Sequence, residues 1–340
     1  MRGLAPLLGS SPTVGVVGYS LGGGLGWLAR NYGLACDRVH AIELVTAEGR
    51  FLKASAEENS DLFWAMRGGG GGFGVVTALE FGLVPVSTVY GGTLLYPVEL
   101  AEEVFKSYRA WTMALPEEWT TSVKLANFPP VELVPEMLRG KSFVMVNGCY
   151  CGPVEDGEAY LQDWLDWGAH IQNSFQVMPF GEVASINQDP QDPVPSMHNG
   201  AWFNQLNDEV IKTIIQFATP KDGPTPLTIT EVRHVGGAMS HVNSGVNAFS
   251  LRDSKLLVEI VGFTPTPEIH AAVKEYNGQF KSALAPHLAD GIYINFLEGE
   301  EARQHTRQAF SAAKYDHLTA VKTKYDPQNL FRFGYDISPH

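Results

Sequence analysis

Positive charge is scarce in this chain: 24 Lys and Arg stand against 37 Asp and Glu over 340 residues, a formal net charge of −13. Polyanions reward a cationic surplus, so nucleic acid and anionic membrane surfaces are excluded as partners on electrostatic grounds. Cysteine is scarcer still, with only Cys36, Cys149 and Cys151. An odd three without metal-ligand spacing reads as small buried apolar residues, not as a disulfide framework. Long apolar runs are missing as well, and nothing approaches the ~20 residues that cross a bilayer. The opening MRGLAPLLGSSPTVGVV is broken by Pro6 and Pro12, so no signal peptide is read there and the cytoplasm is the default compartment. Metal chemistry lacks its ligands, since His234 and His241 are too far apart for a compact pair on one strand. No Ser, His and Asp arrangement forms a nucleophile elbow.

What the chain has in quantity is glycine, 35 residues in all. The stretch GYSLGGGLGWLARNYGL, from Gly18 to Leu34, puts glycine at Gly22, Gly23, Gly24 and Gly26, and RGGGGGFGVVT follows from Arg67. The second run contains a formal GxGxxG at Gly69, Gly71 and Gly74, but the fingerprint of a dinucleotide fold needs a strand before it and a helix after it. Here the order is reversed. Glycine also permits positive φ and lets backbone N–H groups converge on an anion without a Cβ in the way. Two such clusters, each joined to a strand, point to a cofactor bearing a diphosphate, with tight turns packed on each other as the alternative.

Around them, residues 13–17 (TVGVV) are predicted as a short buried strand, Trp27 to Tyr32 as a helical turn, and Arg38 to Ser55 as a hairpin. Ser60 is placed to cap a short helix that Gly68 stops, and GVVTALEFGLVPV reads as a strand. From Tyr90 the elements lengthen. Helices are expected at Val98–Ala114, Glu155–His170, Glu268–Leu288 and Glu300–Tyr325, and strands at Thr121–Asn127, Phe143–Tyr150, Thr228–Val235, Lys255–Phe263 and Ile292–Phe296. Strand pairs without helices between them favour an antiparallel sheet with helices on one face, so the fold class is α+β. QDPQDPVPSMHNG is polar and Pro-rich, a loop of the kind that covers sites.

Three blocks carry a resemblance: SPTVGVVGYSLGGGLGWLARNYGLACDRVHAIELVTAEGR, ENSDLFWAMRGGGGGFGVVTALEF and LTAVKTKYDPQNLFR. In this order they resemble the FAD-linked oxidases of the vanillyl-alcohol oxidase/p-cresol methylhydroxylase superfamily, in the berberine bridge enzyme-like branch. EVRHVGGAMSHV and GIYINFLEGE resemble that branch's substrate domain. The resemblance implies a PCMH-type FAD-binding domain in its C-terminal part (1–88), a substrate domain (89–304) with an antiparallel sheet under helices, and a segment returning to the FAD domain (305–340). It implies an oxidase that transfers hydride from a small organic or secondary-metabolite substrate to the flavin. A flavin-free descendant, working as a non-redox catalyst or a small-molecule binder, is the rival reading.

By the same resemblance, Thr13, Val14, Gly15, Gly18, Tyr19, Gly22, Gly23, Gly24 and Gly26 would wrap the pyrophosphate and ring edge of FAD. Gly74, Val75 and Val76 would hold its adenosine side through main-chain groups. Val14 matches the small residue associated with oxygen access. Ser11 stands where many relatives have a flavin-linking cysteine, so bound FAD would be non-covalent. Phe310 replaces a frequent tyrosine near the substrate, and Gly334 and Asp336 replace amides, which leaves the catalytic base unassigned. The resemblance also places Met1 inside the family's FAD domain. Val14, Val16, Leu21 and Leu25 would then face the place of an N-terminal lobe, to be covered by self-association or a separate partner, or left poorly ordered before about Leu34.

Among substrate-side candidates, Tyr293 and Asn295 lie two apart and would share a strand face. Glu231 and Arg233 share a face of TITEVRHV, as a structural ion pair, a solvated rim or a site. Arg252 would pair locally or reach a substrate anion.

Overall fold

The computed structural model describes residues 3–132, 134–190, 192–220 and 223–340. The chain forms two compact units. One comprises the chain up to Ser87 with Gly236–Asp253 and Asp290–His340, the other Thr88–Val235 with Ser254–Ala289. The return to the first unit therefore comes at Asp290 and not at residue 305, and it is preceded by an earlier visit of 236–253. Side chains explain both visits: Arg252 binds Asp37, and the Tyr293 hydroxyl accepts from the N–H groups of Gly24 and Leu25.

In the first unit β1 (Val39–Val45), β2 (Phe51–Ser55) and β3 (Val75–Phe81) form an antiparallel sheet in the order β2-β1-β3. The β1–β2 hairpin lies where alternation places it, closing through a Gly49 at φ 75° that only glycine adopts readily. Ile42 and Leu44 of β1 pack with Phe73, Met66 and Leu318 in one apolar core. The strand expected at residues 13–17 does not form. The chain there enters a helix, Val16–Leu21, because no strand pairs with it and its own carbonyls take the N–H groups that follow, as in Tyr19 N–H to Gly15. Val14 and Val16 are exposed, but Leu21 and Leu25 are buried within the unit, so half of the expected bare apolar set is covered by this chain itself.

Ser60 is the first residue of its helix and not the cap. Asn59 precedes it in the left-handed region, and its side chain donates to the Lys53 carbonyl. The expected strand at Ile292–Phe296 is a 3-10 turn at Ile294–Phe296. The long helix expected over Glu300–Tyr325 divides into Gly299–His305 and Ala312–Tyr325, because the Ser311 hydroxyl accepts from Lys314 N–H and starts the second helix afresh.

The Asp37–Arg252 pair joins the visits made by 236–253. Guanidinium nitrogens lie 2.7 and 2.6 Å from the two carboxylate oxygens, and Asn247 adds a bond at 2.8 Å. Burial raises the Asp37 carboxyl, but these partners outweigh it and hold the group below the usual carboxylate range. A depressed folded pKa gives stability that is present above the unfolded value and is lost as pH falls through the folded one. Asp37→Asn is therefore expected to lower the unfolding midpoint at neutral pH, and the gap to the parent should close in acid. Denaturation at several pH values checks it, and a constant gap would rule it out.

In the second unit the described residues form an eight-stranded sheet: β4 (Thr88–Pro97), β5 (Trp119–Asn127), β6 (Ser142–Tyr150), β7 (Gln172–Asn173), β8 (Gln176–Pro179), β9 (Ser196–Phe203), β10 (Leu227–His234) and β11 (Leu256–Phe263). The order is β7-β4-β6-β5-β10-β11-β9 with β8 also on β4, and the pairs are antiparallel. Helices Ala101–Thr112, Val154–Trp167, Asp208–Ala218 and Pro267–Leu284 bring Phe105, Leu161, Ile214 and Phe280 onto Val123, Val146, Val232 and Val258 of the sheet. β4 escapes sequence reading because Gly91-Gly92 resembles a turn. A Cβ on Gly92 would meet the Phe175 backbone at 2.4 Å, so the glycine admits a crossing segment. β9 begins inside the Pro-rich stretch read as a loop. Cys36 and Cys149 are buried and Cys151 is half-buried, all free.

Candidate functional site

Two features stand out, one in each unit. In the first, the two ends of the glycine-rich stretch behave differently. Thr13, Val14, Gly15 and Gly18 are exposed, and a Cβ at Gly15 or Gly18 would meet nothing within 4 Å. This is open backbone at the start of a helix. By contrast, a Cβ at Gly22 would lie 1.8 Å from Asn295 Oδ1, at Gly24 2.5 Å from the Ala35 Cβ, and at Gly26 1.8 Å from the Leu8 carbonyl oxygen. Gly23, at φ 122°, faces the Phe249 ring at 3.0 Å. These four glycines admit the chain's own packing.

Tyr293 and Asn295 are part of that packing. The Tyr293 hydroxyl accepts from Gly24 and Leu25 N–H at 3.1 Å each, and Asn295 donates to the Tyr19 carbonyl and the Tyr293 hydroxyl at 3.0 Å. Burial pushes the Tyr293 phenol up to about 12. They clamp the glycine turn and do not line a strand face. Arg252 is likewise engaged, with Asp37 and Asn247. Gly74 is packed on Leu44 and Val45, but β3 is a sheet edge, so Val75 and Val76 belong to a strand with one row of backbone groups that the sheet does not use.

In the second unit, side chains alternate across the sheet, and the face opposite the helices carries Asn147, Ser122, Lys124, Glu231, Arg233, Glu259 and His198. Lys124 and Glu231 are 4 % exposed and Glu259 7 %. Arg233 reaches Glu231 at 2.9 Å and Glu259 at 2.6 Å. Burial opposes its charge, but the flanking carboxylates outweigh this and hold the guanidinium firmly protonated. Burial also raises Glu259, yet Arg233 and His198 bring it below the usual range. The other Glu259 oxygen accepts from His198 Nδ1 at 3.1 Å, and His198 Nε2 meets the Ser196 hydroxyl at 3.1 Å. Over the same face runs the segment after β8, where Asn187 Oδ1 accepts from Lys124 at 3.2 Å and from Asn147 at 2.8 Å. Asp189, next along, has its carboxyl raised by burial.

Of the substrate-side candidates, only Glu231 falls in this cluster. Lys124, Glu259, His198 and Asn147 escaped sequence reading, although a signal existed: TSVKLAN and LLVEIVGF each hold one charge in the middle of an apolar strand. Burying so many charges is costly unless each is paired, and such clusters concentrate at functional sites.

Open glycine-rich backbone in an α+β unit, followed by an antiparallel sheet with one helix-covered and one charged face, defines the two-domain class of FAD oxidases. The family description "FAD binding domain" matches residues 2–55, and "Berberine and berberine like" matches residues 292–337. The chain is similar to the uncharacterized FAD-linked oxidoreductase YgaK of Bacillus subtilis, 29% identical over 99% of this chain and 73% of that protein. It is also similar to (R)-6-hydroxynicotine oxidase of Paenarthrobacter nicotinovorans, 26% identical over the same shares. In fold it matches the BBE-like 1 structure of Physcomitrella patens with a TM-score of 0.81 and 22% identity, covering 99% of this chain and 74% of that one. The chain belongs to the FAD-linked oxidoreductases, in their berberine bridge enzyme-like branch. Its cofactor is FAD, and the open backbone at 13–18 and the free β3 edge fit a large group held by main-chain contacts.

Proposed function

We propose that the protein oxidises a small organic molecule held on the charged sheet face of the second unit. FAD, when bound, supplies the acceptor of a hydride from a substrate C–H bond. Thr13 to Gly18 offer it unobstructed backbone, and Val75 and Val76 offer main-chain groups on a free edge. The observation that carries the reading is the buried cluster of Lys124, Glu231, Arg233 and Glu259, whose desolvation a purely structural sheet face has no need to bear. Within it the carboxylates are the proton acceptors for an oxidised hydroxyl or amine, with Arg233 holding both in place. The relatives agree in kind, one of them being named as an oxidase of a small molecule.

Two measurements test this. Purified protein should show a flavin spectrum, and anaerobic addition of an oxidisable substrate should bleach it; Glu231→Gln should slow the bleaching by about 10²–10⁴-fold if the carboxylate takes the proton. Unchanged bleaching would remove Glu231 from the chemistry. The flavin should also be released by acid precipitation, because Ser11 offers a hydroxyl, bonded to Thr13 at 3.3 Å, where a thioether needs sulfur. Yellow colour held in the washed pellet would contradict a non-covalent cofactor.

A further inference from the structure

On the charged sheet face the ionic groups satisfy one another, and the polar groups left over are neutral. Arg233 lies between Glu231 and Glu259, Lys124 sits beside Glu231 across the β5–β10 register, and two cations thus balance two carboxylates. Asp189, the remaining acid at the edge of the cluster, is pushed towards its neutral form by burial. Ser122 and Asn147 face each other across the β5–β6 register at 2 % and 0 % exposure. The Ser122 hydroxyl and the Asn147 side-chain carbonyl have no partner among the described residues. Lys124, diagonal to Asn147, carries three N–H groups, of which Asn187 takes one.

We infer that Ser122, Asn147 and Lys124 form a subsite for an uncharged, hydroxyl-bearing ligand. The inference rests on the functional reading above and narrows its substrate class. A ligand hydroxyl donates to the Asn147 carbonyl and exchanges a hydrogen bond with Ser122, and a second ligand oxygen accepts from Lys124. A charged ligand meets no unpaired counter-charge and must break an existing pair or be buried alone, which is strongly unfavourable. A buried hydroxyl and carbonyl without partners each cost stability, and a protein keeps such groups where a ligand uses them.

The test compares three probes of one skeleton and different charge: D-glucose, D-gluconate and D-glucosamine. Calorimetric titration into the purified, FAD-containing protein should give measurable binding of glucose and at least tenfold weaker binding of both charged analogues. Ser122→Ala should weaken glucose about tenfold while its thermal midpoint stays at or above the parent's, because the variant removes only an unpartnered hydroxyl. Asn147→Ala, which also loses the bond to Asn187, should weaken glucose without abolishing the cooperative transition. Binding of a charged analogue as tight as glucose, no binding of any probe, or a clear fall in the Ser122→Ala midpoint would each overturn the subsite. Heat of binding does not depend on flavin reduction, so a protein that binds glucose but is never reduced would refute the oxidase reading and leave the subsite standing.

Discussion

Gly26→Ala is expected to abolish FAD binding without touching the cofactor. The new Cβ would sit 1.8 Å from the Leu8 carbonyl oxygen and 2.9 Å from the Tyr19 hydroxyl. The first of these is backbone, so either the glycine turn or the residue 8 strand-like segment must move, and overpacking of this kind costs about 1–3 kcal/mol or more. The turn is the anchor for Tyr293 and Asn295, so its displacement disturbs the open backbone at 13–18 as well. Gly15→Ala and Gly18→Ala are the informative contrast. Neither Cβ meets a neighbour within 4 Å and neither glycine has a positive φ. Gly18 lies in a helix, where alanine is favoured over glycine by about 0.8–1 kcal/mol, so that variant should be as stable as the parent or more so. A loss of FAD affinity there, read by flavin fluorescence titration, reports direct contact with the cofactor. Parent-like FAD affinity in Gly26→Ala would show that the turn tolerates the displacement and would sink the prediction.

The second large effect is expected at Asp326. Lys322 is 1 % exposed, and its ammonium contacts Asp326 at 2.7 Å and the carbonyls of Gly72 and Phe331 at 2.6 and 3.0 Å. Asp326 in turn accepts from the N–H groups of Leu330 and Phe331 at 2.8 and 2.9 Å. Burial raises its carboxyl, but the lysine and the two amides outweigh this and keep it ionised below the usual range. Asp326→Ala leaves a buried cation and two amides without their acceptor, and breaking one side of a buried pair costs about 3–5 kcal/mol. Hydrogen exchange should then accelerate through 326–337, and the unfolding midpoint of the first unit should fall. Pairing Lys322→Met with Asp326→Leu should recover much of the loss, since replacing both charges removes the desolvation with the attraction. An Asp326→Ala variant within about 1 kcal/mol of the parent would mean that water reaches the pair, contrary to its burial.

The elements that declare themselves locally were legible from the chain. The β1–β2 hairpin follows from alternation and a turn glycine, β5, β6, β10 and β11 follow from apolar strands, and the amphipathic helices follow from their period. Charge excluded polyanionic partners, and the order of the glycine blocks rejected a dinucleotide fold and pointed to FAD. What a single segment cannot encode is what another segment brings to it. Gly22 and Gly26 look like a phosphate cradle in sequence, yet Asn295 and the Leu8 backbone occupy the space that their missing side chains leave. Tyr293, Asn295 and Arg252 resemble ligand-binding groups until residues some 215 to 276 positions away claim their hydrogen bonds. Lys124 and Glu259 are single charges in apolar strands, and only the strand register, with β10 between them, turns them into a balanced cluster around Arg233. Side-chain type and local period set which elements form; long-range pairing decides which polar atoms are already satisfied, and so which remain for a ligand.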